Sequence, residues 1–146
     1  MTYELVLQGE GARLALSVAG RENPTGVGSD AEWIACDAHL EVPGFGSGAT
    51  AFSMTVSDLR RLARLCDGLL AQAPGRCSFE IEEENLAIEL ELDMRGALKV
   101  RCTLRQMATA PTQMGVEYVS DRGSLDQFAR AVSNAAGALD DDSSRR

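Results

Sequence analysis

The chain has 146 residues, 45% of them apolar, and a net charge of −8 from 22 acids against 14 bases. That length fits one domain that removes roughly two thirds of its unfolded surface from water. The charge opposes broad phosphate-neutralising contact with nucleic acid or an anionic membrane and favours a basic partner, although acidic solubility alone also explains it.

No apolar run approaches the ~18 residues that span a bilayer, so no membrane partner is expected. The start, Met1-Thr2-Tyr3-Glu4, has neither a basic nor an apolar signal region, and a cytoplasmic protein is the expectation. Cys36, Cys66, Cys77 and Cys102 show no CxxC spacing and fall on the apolar phase of their elements. They read as reduced core residues.

In chain order, Tyr3, Leu5 and Leu7 alternate with polar residues, Gly9-Glu10-Gly11 turns, and Leu14, Leu16 and Val18 resume the period of two, which predicts a hairpin. Residues 20–31 gather Gly, Pro, Asn, Ser and Asp and read as an exposed loop. A third strand carries Ile34, Cys36, Ala38, Leu40 and Val42 on one face, with Trp33, Asp37, His39 and Glu41 on the other. After Pro43-Gly44-Phe45-Gly46-Ser47-Gly48 a fourth strand follows with Phe52, Met54 and Val56. Ser57 is then the expected N-cap of a helix whose apolar face is Leu59, Leu62, Ala63, Cys66, Leu69 and Leu70, ending near Ala71 before Pro74-Gly75.

The second half repeats that order. Strands centred on Phe79, Ile88, Val100 and Val116 precede a helix with a Ser124/Gln127 capping box and the stripe Leu125, Phe128, Ala129, Val132, Ala135, Ala136 and Leu139. The fold class is therefore α+β, in the order ββββα-ββββα. Its roughly eight mostly antiparallel strands form one curved sheet or two sheets, with two amphipathic helices on the apolar face. Residues 1–139 make one domain, and 140–146 are expected to be a flexible acidic and polar tail. A three-residue turn at Met94-Arg95-Gly96 predicts the pairs Leu92–Leu98, Leu90–Val100, Ile88–Cys102 and Leu86–Leu104, with Glu91 facing Lys99 and Glu89 facing Arg101.

Seven carboxylates, Glu80, Glu82, Glu83, Glu84, Glu89, Glu91 and Asp93, give that second hairpin an acidic outer face. With Glu89 and Glu91 assigned to basic neighbours, the partner-binding residues expected are Glu80, Glu82, Glu83, Glu84 and Asp93. Trp33 joins them as an outward aromatic that is either packed beneath the 20–31 loop or open to a partner.

Catalytic chemistry finds no frame. His39, beside Asp37 and Glu41, lacks a nucleophile with an oxyanion donor, and Gly44, Gly46 and Gly48 precede a strand rather than a phosphate-receiving helix. Glu82-Glu83-Glu84-Asn85 is not a calcium loop, because consecutive side chains point apart. Arg60, Arg61 and Arg64 lack the interleaved aromatics of a nucleic-acid site. No catalytic residue, metal or cofactor is expected.

The succession Tyr3-x-Leu5-x-Leu7, a polar loop, Glu32-Trp33-Ile34, a hairpin ending in Phe52 and Asp58-Leu59 opening a leucine-rich helix resembles the WapI-type immunity proteins of bacterial toxin systems. Phe79-x-x-Glu82 before Leu86-x-Ile88-x-Leu90, the Gly96 hairpin and the closing helix extend the resemblance over residues 3–139. It implies a non-catalytic protein that binds and neutralises a cognate toxin domain, as a monomer or small homo-oligomer. The residues alone leave two alternatives open: a small-molecule or enzymatic module with a pocket between sheet and helices, and a structural subunit of a larger assembly.

Overall fold

The computed structural model describes residues 2–22, 32–106 and 111–144, the last four by backbone alone. Most of the loop expected over 20–31 and the last two residues of the expected tail lie outside that range. The elements are β1 (Tyr3–Gln8), β2 (Arg13–Arg21), β3 (Trp33–Val42), β4 (Gly46–Thr55), α1 (Val56–Ala71), β5 (Gly75–Glu80), β6 (Leu86–Leu92), β7 (Ala97–Gln106), β8 (Thr112–Asp121) and α2 (Arg122–Ser144). The strands form two antiparallel sheets, β1-β2-β3-β4 and β5-β6-β7-β8. Of the two architectures the pattern allowed, two separate sheets is the observed one.

Alternation decides which face of each strand is buried. Along β6 every second residue, Leu86, Ile88, Leu90 and Leu92, is buried while Glu89 and Glu91 are exposed. The expected register holds at every pair from Leu86 with Leu104 to Leu92 with Leu98. Gly96 enters the left-handed region at φ 91°, and the Asp93 amide donates to the Ala97 carbonyl at 3.0 Å, closing the three-residue turn.

Both helices begin earlier than the sequence suggested. Thr55, still extended, is the N-cap of α1: its hydroxyl accepts from the Asp58 amide and the Asp58 carboxylate accepts from the Thr55 amide, each at 3.1 Å. Ser57 falls inside the first turn, because a capping box needs its acidic partner at the third helical position and Asp58 stands there relative to Thr55. In α2 the Asp121 carboxylate accepts from the Ser124 amide at 2.7 Å, so Asp121 caps the helix that Ser124 was expected to open. That amide donor holds the Asp121 carboxyl below its ordinary range. The helix continues to Ser144, past the last residue of its apolar stripe.

Inward side chains of both sheets and the stripes of both helices join one buried cluster. The helices pack on each other, with α1 along β5 and α2 along β1, so each half lays its helix beside the first strand of the other.

Two seams bind the sheets. At one, Tyr118 Oη donates to the Leu7 carbonyl at 2.7 Å, Ser120 Oγ donates to the Gln8 carbonyl, and the Glu10 amide donates to the Val119 carbonyl at 2.8 Å. Gly9 is obligatory there, since a Cβ would stand 2.2 Å from the Tyr118 ring. At the other seam, Thr50 Oγ1 donates to the Arg105 carbonyl at 3.3 Å and Gln106 Nε2 to the Ala49 carbonyl at 2.7 Å.

Candidate partner-binding surfaces

The outer face of the second sheet is built from the register. Arg76, Glu91, Lys99 and Val119 lie in one row across β5 to β8, and Ser78, Glu89, Arg101 and Glu117 in the next. Arg101 donates to Glu89 at 3.1 Å and to Glu117 at 2.9 Å. Hydrogen bonding to Glu117 and the charges of Glu117 and Glu89 raise the guanidinium above its ordinary value. Glu91 has no ion pair with Lys99, although the two stand opposite as expected. This face is therefore a ladder of alternating charge and not an acidic sheet. A shallow cleft of about 160 Å³ runs over it between β5 and β7.

The acids singled out from the sequence separate into three situations. Glu80 ends β5, exposed, with its carbonyl accepting from Arg61 Nη2 at 3.0 Å while the Arg61 guanidinium lies over the Phe79 ring. Glu82, Glu83 and Glu84 leave the strand face altogether. They form the exposed turn between β5 and β6, where Glu84 takes a positive φ of 64° and donates its amide to the Ile81 carbonyl.

Asp93 has structural work: its Oδ1 accepts from the amides of Arg95 at 2.8 Å and Ala97 at 2.9 Å, fixing the hairpin turn. Trp33 opens β3 on the other sheet, half-buried, with its carbonyl accepting from the Glu22 amide. The structure thus brings Glu80 and Glu82–Glu84 together and leaves Asp93 and Trp33 apart from them in role. Sequence reading missed Arg76 and Glu117, the cross-strand neighbours of Glu91 and Arg101. The signal for Glu117 was its place in the Val116-Glu117-Tyr118 alternation, but no glycine turn like that at Gly96 fixed the β7–β8 register.

Burial pushes the thiols of Cys36, Cys66 and Cys102 up to about 12, which leaves them protonated and unreactive near neutrality. Among the described residues, no three of His, Cys, Asp and Glu converge as metal ligands. What the site offers is a surface: exposed carboxylates on a turn whose backbone is fixed.

A family model for the immunity protein WapI-like family matches residues 5–139. The chain belongs to the WapI-like immunity protein family. No curated protein matches it. A solved structure of the plant transcriptional regulator PBF-2 superposes with a TM-score of 0.52 at 11% identity, over 95% of this chain and 81% of that one. At that identity the likeness shows a shared fold alone. Membership in the WapI-like family implies binding of a cognate toxin, and immunity proteins of this kind are generally non-catalytic.

Proposed function

We propose that this WapI-like chain binds the toxic domain of a cognate bacterial toxin in the cytoplasm and neutralises it, and that the partner's contact surface is basic. The observation that carries this reading is the exposed turn Glu82–Glu84 with Glu80 beside it, none of which has an ion-pair partner among the described residues. Four carboxylates held at one end of a rigid sheet make a local negative field in a chain already at −8. Such a field accelerates encounter with a cationic surface and loses force as salt rises.

The test is stopped-flow association with the toxin domain encoded beside the gene. Glu80→Lys, Glu82→Lys and Glu84→Lys together are expected to lower the association rate by about tenfold or more at low salt. A wild-type chain that fails to bind that domain overturns the function. A triple variant that associates at the wild-type rate overturns the acidic end as the capture surface.

A further inference from the structure

Four strands, β1, β4, β5 and β8, stand at sheet edges, and three of them have another element packed beside them. α2 lies along β1, α1 lies along β5, and β4 is held against the second sheet by Thr50 and Gln106. β8 is different. Its Val119 carbonyl points away from β7 to accept from Glu10, as the first rung of a further ladder. The β7–β8 register runs without a shift from Ala97–Asp121 to Gln106–Thr112, so strand parity turns the peptide groups of Gln113, Gly115 and Glu117 to the same open side. Among the described residues no other strand or backbone group reaches them.

A second, independent feature lies at the same place. β4 crosses this end of the sheet step by step: Thr50 meets the Arg105 carbonyl, Ala49 receives Gln106, and an added Cβ at Gly48 would strike the Met114 sulfur. Ser47, next along β4, shares a small cavity with Thr112, Gln113 and Met114, and Phe45, two residues before it, is 87% exposed. Met114 and Val116, on the inward phase of β8, are only half-buried. A long unpaired edge with apolar side chains beneath it is a liability that proteins guard with Lys, Pro or a covering element. Here residues 112–117 hold neither Lys nor Pro, and their one carboxylate, Glu117, is turned onto the sheet face, where Arg101 donates to it at 2.9 Å.

We propose that the open edge of β8 takes an extended segment of the bound toxin domain as an added strand. Its apolar side chains would cover Met114, Val116 and Phe45, and basic side chains of the same partner would meet the carboxylates of the Glu82–Glu84 turn, unpaired among the described residues. This rests on the toxin-binding reading and names the geometry of that contact. A second copy of the chain fits less well, since two surfaces of net charge −8 repel. Peptide groups supply the affinity in such a contact and alternate side chains the selectivity. The exposed turn at Glu82–Glu84 sits at the same end of the sheet, two to three strand spacings or roughly 10–14 Å away, so one partner spans both.

Gly115→Pro tests the edge with little else disturbed. Its amide faces the open side, so the β7 ladder keeps its hydrogen bonds, and a Cβ there meets only the Thr103 hydroxyl at 3.8 Å. Gly115→Ala keeps the donor and serves as the control. With the toxin domain as probe, Gly115→Pro is expected to weaken binding at least about tenfold, a difference of roughly 1.4 kcal/mol, while Gly115→Ala stays within about threefold and both variants melt near the wild type. Phe45→Ala is expected to raise the dissociation rate.

Wild-type affinity in Gly115→Pro overturns the edge and leaves the toxin-binding reading standing. Absence of any wild-type complex overturns both. A concentration-dependent dimer that Gly115→Pro abolishes assigns the edge to a second copy and overturns the toxin segment as its occupant.

Discussion

The two sheets share one architecture and one core, yet their outer faces are composed differently. On the second, the rows Arg76, Glu91, Lys99, Val119 and Ser78, Glu89, Arg101, Glu117 balance three acids against three bases, with Arg101 clamped between two carboxylates. On the first, the corresponding rows are Glu4, Ser17, Asp37, Ala51 and Val6, Ala15, His39, Ala49, where small side chains leave Glu4 and Asp37 without an ion pair among the described residues. The inward faces show no such contrast: both are apolar at nearly every second position. Folding constrains the inner face tightly and the outer face loosely, so the outer faces and exposed turns are where recognition is free to differ.

The largest expected effect bears on the sameness of the inner faces. Leu16 and Leu90 are buried at equivalent depth on opposite sheets, and Leu→Ala at either is expected to cost about 3 kcal/mol. Because both belong to one cluster, each substitution should lower the same single unfolding transition. Trp33 reports only on the first sheet, whereas far-UV circular dichroism reports on both. Urea curves from the two probes should coincide in wild type and in both variants. Divergence of the probes in Leu90→Ala would mean that the sheets unfold as separate units.

Next in size is the seam. Tyr118 is buried, and its hydroxyl satisfies the Leu7 carbonyl across the sheet boundary. Tyr118→Phe keeps the ring against Gly9 but leaves that carbonyl without its donor, for an expected loss of about 1–2 kcal/mol. The urea midpoint measures it, and the two probes should still coincide, because the remaining seam bonds hold the sheets together. A variant as stable as wild type would show that water serves the carbonyl equally well.

The order of elements and the β6–β7 register were legible because each rests on local information: a period of two, a period near 3.6, and Gly96 at a turn. What was hidden depends on partners distant in sequence. The division into two sheets is fixed by contacts such as Tyr118 with Leu7, 111 residues apart, which no periodicity encodes. Helix starts were misplaced by a few residues because Thr55, Ser57, Asp121 and Ser124 are all competent caps, and only backbone conformation selects among them.

The acidic strip was legible as composition but not as shape. Glu82, Glu83 and Glu84 look like the continuation of a strand until Glu84 turns left-handed, and Asp93 looks free until its carboxylate is seen to cap the turn. The open edge of β8 was invisible for the same reason, since an edge is defined by what fails to pair with it.

The smallest effect isolates the contrast between the outer faces. Arg101→Ala removes both ion pairs of the ladder and takes the chain from −8 to −9, 22 acids against 13 bases. The side chain is 59% exposed, so solvent and salt already screen much of what the ladder contributes. The expected midpoint shift is therefore smaller than that of Tyr118→Phe, and it should shrink further in 1 M salt, where the Debye length falls to about 3 Å. Asp37→Ala on the other sheet removes a carboxylate with no ion-pair partner, so its midpoint should stay level or rise slightly as repulsion is relieved, with the opposite response to salt. Comparison of the two variants at low and high salt measures the difference between a neutralised face and an unneutralised one. Equal responses would mean that the ladder seen on the second sheet has no energetic counterpart, and that the two outer faces differ in composition alone.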